Sequence, residues 1–459
     1  MRLGSWTTPQ WIRAFTAGAV LLAVVLGIVL SSVMGGTRDG LAVIGGRAAP
    51  QVSATTDLYF ALSDLDAQLA NVLLVGDDPA FAASRKQALD TFEQRRSQAD
   101  ADLQQIATDE SARQAVRTVL GQFGHYQSLA AQVMLLDQGG VAGRPSAAVL
   151  AVHRQATSLM HDTLHSVQDL TNTNHELLNS TYQSRIDDTV TARVWVVLIG
   201  VVLVLVLVGA QVHLRLKARR RLNVGLVLAT LIGAGLTIAG SVVLADEARH
   251  LVVAKSNAFD SIVALAQARA VSYDANADES RFLVDPDFAG QYEKSFSDKT
   301  QQLAGLAGTD LAHYDAGLVG ALDAYRARNS EVRFTGFFGT EMNNITFDGE
   351  RAAAETTLAA YQVYQADDRR IRTLAAAGDL RGAIVFCIGT KAGESNYDFG
   401  RYDAALTGLI EINQRAFEGA IRDGDSELDG WTGLIPAIAV LVLAALVGIG
   451  VRPRLVEYR

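Results

Sequence analysis

The residue types and spacings that could do chemistry are few in this 459-residue chain. His161 and His165 stand four residues apart, so a helix would place both imidazoles on one face, as in zinc proteases. Asp162 replaces the catalytic glutamate of that motif, and no third ligand can be assigned. Two interpretations remain open, a two-histidine metal site and a polar stripe between helices, and we favour the stripe.

Three further motifs are incomplete. Residues 425–430 resemble the first half of a calcium loop, but position twelve would be Pro436, in an apolar segment where the loop cannot close. Residues 389–391 are Gly, Thr and Lys, without the Gly-Lys-Ser/Thr order of a phosphate loop. The single cysteine, Cys387, lies between two apolar residues and is expected in the core. We therefore expect no catalytic residue, no metal, no cofactor and no enzymatic activity.

Four apolar windows dominate the chain, and none contains Asp, Glu, Lys, Arg or His: residues 14–33, 194–212, 224–244 and 432–451. Each is long enough for a transmembrane helix, which needs about 20 residues. The first window could instead be a cleaved signal peptide, but it is longer than the 7 to 15 apolar residues typical of one. Only 19% of all residues are charged, against about 25% in soluble domains. These observations exclude a soluble enzyme and a simple tail-anchored protein.

Charge is distributed unevenly between short and long segments. The three short segments, residues 1–13, 213–223 and 452–459, together contain ten Lys or Arg and one acidic residue. The two long polar blocks, residues 34–193 and 245–431, are acidic. Because short Lys- and Arg-rich segments stay in the cytoplasm, both termini and the middle loop are expected there. The chain is thus predicted to be a multi-pass plasma-membrane protein with two extracytoplasmic domains.

Both polar blocks have the apolar periodicity of helices. In the first helix, Asp64, Asp66, Gln68 and Asn71 fall off the apolar face. The expected helices of the first block lie near 40–76, 79–108, 111–137 and 146–192. Those of the second lie near 245–284, 286–307, 309–332, 349–377 and 398–423.

The two blocks are also similar to each other at an offset of about 200 residues, as in Phe92-Glu93 and Tyr292-Glu293. We therefore predict an all-α membrane protein with four transmembrane helices and two duplicated extracytoplasmic helical bundles. The first and last helices of each bundle are expected to continue into the membrane.

Two candidate contact surfaces follow from this topology. Residues 333–348 mix aromatic residues with Gly and Asn, which suits a structured loop or short hairpin. This segment either forms an exposed extracytoplasmic contact loop or caps the bundle, through Phe334, Phe337, Phe338 and Phe347. The middle loop contains basic residues that could bind a cytoplasmic partner or lipid headgroups: Arg215, Lys217, Arg219, Arg220 and Arg221. Membrane lipids are expected partners, and nucleic acid is not.

Three segments carry a resemblance to a known family: TTDLYFALSD at 55–64, LLVGD at 73–77 and NITFDGE at 344–350. They are similar to actinobacterial GlnX-type membrane proteins. The resemblance implies a signal relay that connects an extracytoplasmic amino-acid-binding lipoprotein of the GlnH type to a cytoplasmic Ser/Thr kinase of the PknG type. It brings no ligand-binding residues. The alternatives are a chemoreceptor-like direct ligand sensor and a structural envelope scaffold without signalling.

Overall fold

The computed structural model describes residues 8–108, 112–218, 223–328 and 331–456. Within these ranges it contains α-helices and short 3₁₀ or π-helical segments, and no β-strand. The helices of the first half are α1 (Thr8–Val43), α2 (Ala49–Val75), α3 (Ala82–Ile106), α4 (Arg113–Leu136) and α5 (Ala147–Ala218). Those of the second half are α6 (Val224–Val252), α7 (Asp260–Val284), α8 (Ala289–Leu303), α9 (Tyr314–Ala327), α10 (Gly336–Asn344), α11 (Glu350–Ala376), α12 (Leu380–Cys387), α13 (Ser395–Glu427) and α14 (Leu434–Val456).

Four helical stretches among the described residues are long and apolar enough to cross a membrane: Gln10–Val75, Ala147–Leu216, Val224–Val284 and Leu434–Pro453. Each overlaps one of the four uncharged windows of the sequence. The prediction of an all-α membrane protein with four apolar spans is confirmed.

The chain divides into two compact units. The first, here called the span unit, comprises Met1–Arg47, Asn179–Ala254 and Glu418–Arg459. The second, the polar unit, comprises Ala48–Leu178 and Lys255–Phe417. From the sequence, the two polar blocks are predicted to form two helical bundles. In the structure they contribute to one compact unit.

Glycines allow close helix packing in the span unit, where α1, α6 and α14 contact one another. A Cβ on Gly27 would lie 2.6 Å from Val440, and one on Gly240 would lie 2.5 Å from Leu30. The small-residue spacing of the sequence also suggests close packing at Gly235, but a Cβ there would meet nothing within 4 Å. Spacing alone therefore does not identify which glycine faces a neighbouring helix.

The polar unit is built around α2 and α7, which pack against each other. Helix α2 also packs against α3, and α7 against α8. Leu69 and Leu73 of α2 share one hydrophobic core with Leu283 and Val284 of α7. The two halves of the chain are thus joined through a common core.

Local structures follow the same order in both halves. A π-helical segment, Ile44–Ala48 or Val253–Phe259, precedes α2 or α7. An Asp-Pro step and a 3₁₀ turn, Pro79–Phe81 or Pro286–Phe288, follow. In the first half, Asp78 accepts a hydrogen bond from the Ala80 backbone N–H at 2.9 Å, which caps the turn.

A buried charge network links α2 to α7 and α8. Arg281 contacts Asp66 of α2 and also Asp274 and Asp278 of its own helix. Lys299 of α8 reaches the same two helix α7 carboxylates, at 2.7 Å to Asp274 and 2.6 Å to Asp278. The network therefore joins α2 of the first half to α7 and α8 of the second half through buried, paired charges.

Candidate functional site

A polar cleft with a volume of about 260 Å³ lies within the polar unit. It is bounded by α2, α3, α7 and the segment 388–400. Five amide side chains line it: Gln68, Asn71, Gln87, Asn276 and Asn396. Three aliphatic hydroxyl side chains, Ser84, Thr91 and Thr390, and the phenol of Tyr273 join them. A concave site with several convergent polar groups is the usual form of a small-molecule site.

Helical periodicity brings these side chains to one place. On α2, Asp64, Gln68, Asn71 and Val75 recur at intervals of three and four, so they share one face. The same intervals align Ser84, Gln87, Ala88, Thr91 and Arg95 on α3. The apolar part of the lining is completed by Ile388 and Phe399, which are buried.

The cleft contains one acidic and one basic lining residue, and they neutralise each other. Arg95 Nε donates to Asp64 Oδ2 at 2.6 Å, and Gln68 Nε2 donates to Asp64 Oδ1 at 2.7 Å. Arg95 Nη1 donates to Gln98 at 2.8 Å, and the guanidinium lies 4.5 Å from the centre of the Phe60 ring. Burial raises the pKa of Asp64, although Arg95 and Gln68 oppose the shift. The pair is therefore fixed and carries no net charge.

Besides Gln68, two lining amides are held by neighbouring polar side chains. Ser280 Oγ donates to Asn71 Oδ1 at 2.7 Å, and Asn276 Nδ2 donates to Glu279 at 3.2 Å. The remaining lining groups make no side-chain hydrogen bond within the described part of the chain: Ser84, Gln87, Thr91, Thr390 and Asn396. The cleft thus combines fixed amides with polar groups that are available to a ligand.

The sequence alone does not identify this site. Helical periodicity predicts Asp64, Gln68 and Asn71 on the polar face of an amphipathic helix, whereas in the structure Asp64 is buried. Their spacing does predict a shared polar face, but the opposing side chains on α3 and α7 come from distant segments. Only the tertiary register of the three helices turns that polar face into a cleft.

The aromatic segment 333–348 forms a helix rather than a loop or hairpin, since α10 covers most of it. Phe334 and Phe338 belong to a hydrophobic core together with Met342, with exposed fractions of 5% and 1% for the two phenylalanines. Phe338 and Met342 lie four residues apart on α10, a helical spacing that the sequence interpretation missed, whereas Phe334 precedes the helix. Phe337 and Phe347 are partly buried. Phe334 and Phe338 therefore pack in the bundle and do not form an exposed contact surface.

The basic cluster is only partly described. Arg215 is exposed near the end of α5, and Lys217 lies in the same helix. Arg219, Arg220 and Arg221 lie outside the described residues. Contact of this cluster with a cytoplasmic partner stays a prediction.

The structure also places the calcium-like segment and the histidine pair of the sequence. Asp425, from the calcium-like segment, pairs with Arg38 of α1 through bonds of 2.7 and 3.0 Å. The Nε2 atoms of His161 and His165 are 3.0 Å apart on the surface of α5. Among the described residues, no group of three or more His, Cys, Asp or Glu is arranged to hold a metal ion.

Part of the chain is similar to a known protein family. The family described as an actinobacterial sensor domain matches residues 40–183, which is less than half of the chain. The match supports a sensor-type protein. No curated protein and no solved structure matches the chain. The matched residues include α2 and α3, which form two walls of the cleft.

Proposed function

We propose that this chain is a transmembrane sensor that binds a small polar ligand in the cleft and transmits the binding event to a cytoplasmic protein. The proposal rests on the overlap between the residues that match a sensor domain and the residues that line the cleft. The region that matches a sensor domain supplies Asp64 to Arg95, the α2 and α3 walls of the cleft. A sensing function and a polar cavity therefore fall on the same residues.

Helices that are continuous along the chain offer a route for the signal. Helix α5 runs without interruption over Ala147–Ala218, and its residues belong to both units. A ligand shifts a conformational equilibrium only when it binds one state more tightly than the other. A difference of about 1 to 3 kcal/mol would give roughly 5- to 150-fold coupling. The basic cluster at 215–221 would then present the signal to an acidic partner.

Thermal unfolding of the full chain in nanodiscs tests ligand binding. The probes are a library of small metabolites that covers uncharged, zwitterionic, anionic and cationic compounds. Gln87→Trp fills the cleft from an exposed position of α3, and Gln94→Trp is the matched control on the same helix, outside the lining. We expect at least one probe to raise the unfolding temperature of the wild type and of Gln94→Trp, but not of Gln87→Trp. Failure of every probe, or an equal response of Gln87→Trp, would refute the proposal.

A second candidate is the relay between an amino-acid-binding lipoprotein of the GlnH type and a Ser/Thr kinase of the PknG type. The resemblance of 55–64, 73–77 and 344–350 to GlnX-type proteins favours it. Two of these segments include residues of the cleft lining, Asp64 and Val75. Docking of a loaded lipoprotein on the polar unit would then replace, or add to, direct ligand binding.

Co-purification from mildly solubilised membranes tests this second candidate. We expect a solute-binding lipoprotein and a kinase to be recovered with the chain. Replacing Arg219, Arg220 and Arg221 by Gln should release the kinase and retain the lipoprotein. Recovery of neither protein would contradict the relay, and an unchanged kinase output in the triple variant would favour a structural scaffold.

A further inference from the structure

We infer that the ligand of the cleft is an uncharged, polyhydroxylated compound of carbohydrate type. The inference rests on the proposed function, because it assumes that the cleft is the ligand site. It is carried by three features of the lining: its charge balance, the kind of polar group that it presents, and its size.

The charge balance disfavours ionic ligands. Asp64 and Arg95 are the charged residues that line the described cleft, and each already has the other as its partner. The side chain of Asp64 is 2% exposed and that of Arg95 is 17% exposed, so neither is free to turn toward a second ion. A bound carboxylate would lie near Asp64 without a cation of its own, and a bound ammonium would lie near Arg95 without an anion. An uncharged ligand avoids both unpaired charges.

The polar lining suits hydroxyl groups. Gln87 and Asn396 each present an N–H₂ donor and a carbonyl acceptor, and Thr91 presents a hydroxyl that can donate or accept. Sugar hydroxyls also donate and accept, so they can satisfy both kinds of group. A ligand with few hydrogen-bonding atoms would leave lining groups unsatisfied, which costs about 1 to 3 kcal/mol for each buried group.

The apolar lining and the volume agree with this class. Tyr273 and Phe399 contact each other with ring centroids 4.9 Å apart, and both line the cleft. Their apolar surfaces can pack against the C–H faces of a sugar ring, while the amides bind its hydroxyls. The volume of about 260 Å³ is slightly below the ~300 to 1,000 Å³ of drug-sized sites. A compound of about monosaccharide size is therefore the expected ligand.

Isothermal titration calorimetry of the full chain in nanodiscs tests the inference. The uncharged probes are D-glucose, D-galactose, D-arabinose, trehalose and myo-inositol, and the charged probes are succinate, L-glutamate and putrescine. We expect saturable binding of at least one uncharged probe. Gln87→Leu and Asn396→Leu should each weaken it about tenfold, since each removes a polar partner outside the hydrophobic core. Gln94→Leu, the control on the same helix as Gln87, should leave the affinity within twofold.

Salt dependence separates the two ligand classes. Affinity for an uncharged probe should change less than twofold between 50 and 500 mM NaCl, because salt screens only interactions between charges. The inference is overturned if a charged probe binds in a salt-dependent manner, Gln87→Leu weakens it, and no uncharged probe binds; the proposed function would survive that result. If no probe of either class binds, both the inference and direct ligand sensing by the cleft are contradicted.

Discussion

Replacing Arg281 by Gln should destabilise the polar unit more than any exposed charge substitution. The side chain of Arg281 is 3% exposed, and its guanidinium contacts Asp66, Asp274 and Asp278. In the variant, Lys299 would still contact Asp274 and Asp278, although its single charge balances only one of them. Asp66 would lose the cation that joins α2 to α7 and would stay buried with an uncompensated charge.

The size of the effect follows from the burial of this pair. The Asp66 side chain is 4% exposed, so water cannot replace the missing cation. Removing one partner of a buried ion pair costs about 3 to 5 kcal/mol. The exposed pair between Lys294 and Asp298 on α8, with side chains 76% and 58% exposed, is the matched control. Pairs of that kind contribute about 0.3 to 0.5 kcal/mol.

Thermal unfolding of the two variants in nanodiscs, at one scan rate, checks this reasoning. One kcal/mol shifts the midpoint of a large domain by about 2 °C, so Arg281→Gln should unfold about 6 to 10 °C below the wild type. Lys294→Gln should unfold within about 1 °C of it. If Arg281→Gln falls by no more than Lys294→Gln does, Arg281 does not hold the two halves together.

Three further predictions concern single residues of the polar unit. Burial lowers the pKa of His153 to about 4. As the pH falls from 6.5 to 4, the unfolded chain therefore binds a proton before the folded chain does, and the folded state loses stability. The loss is about 2 kcal/mol at pH 5. His153→Leu should therefore show a smaller drop of the unfolding midpoint between pH 7.5 and 5. Gly336 has φ +79° and a Cβ there would lie 2.3 Å from a carbonyl oxygen of Gln302, so Gly336→Ala should lower the midpoint more than Gly308→Ala, where φ is +73° but the space is open. Cys387 is buried and burial raises the pKa of its thiol, so maleimide should modify it at least a hundredfold faster after denaturation, and rapid labelling of the native chain would contradict its placement.

The spans and most helices of the polar unit are predictable from local sequence. The spans are predictable because the four windows contain no ionisable residue, and a membrane requires such runs. The ends of α2 and α7 are predictable because an Asp-Pro step follows each helix and stops it. Both signals lie within a few residues of the structure that they determine.

The burial of polar residues on α2 could not be predicted in this way. Asp66 is separated from Arg281 by 215 positions, and Asp64 from Arg95 by 31. Periodicity assigns such aspartates to the solvent face, since it does not include partners on other helices. The cleft has the same origin, because it depends on how α2, α3 and α7 are aligned.

The prediction of a loop or hairpin at 333–348, where the structure has helix α10, was wrong for a different reason. The helical spacing of Phe338 and Met342 is visible in the sequence, but the glycines and asparagines around them favour a loop. In the structure the hydrophobic core selects the helix, because it buries Phe338 and Met342 on one face of α10; Phe334, which precedes the helix, joins the same core. Tertiary burial here outweighs local propensity.

The central claim, that the cleft and the basic cluster lie on opposite sides of the membrane, is tested most directly by cysteine labelling in intact cells. Gln87→Cys places a thiol at the cleft and Arg215→Cys places one at the basic cluster, and both positions are exposed. The native Cys387 is buried and gives little background. A membrane-impermeant maleimide should label Gln87→Cys in intact cells and Arg215→Cys only after permeabilisation. Labelling of Arg215→Cys in intact cells at the rate of Gln87→Cys would contradict the account.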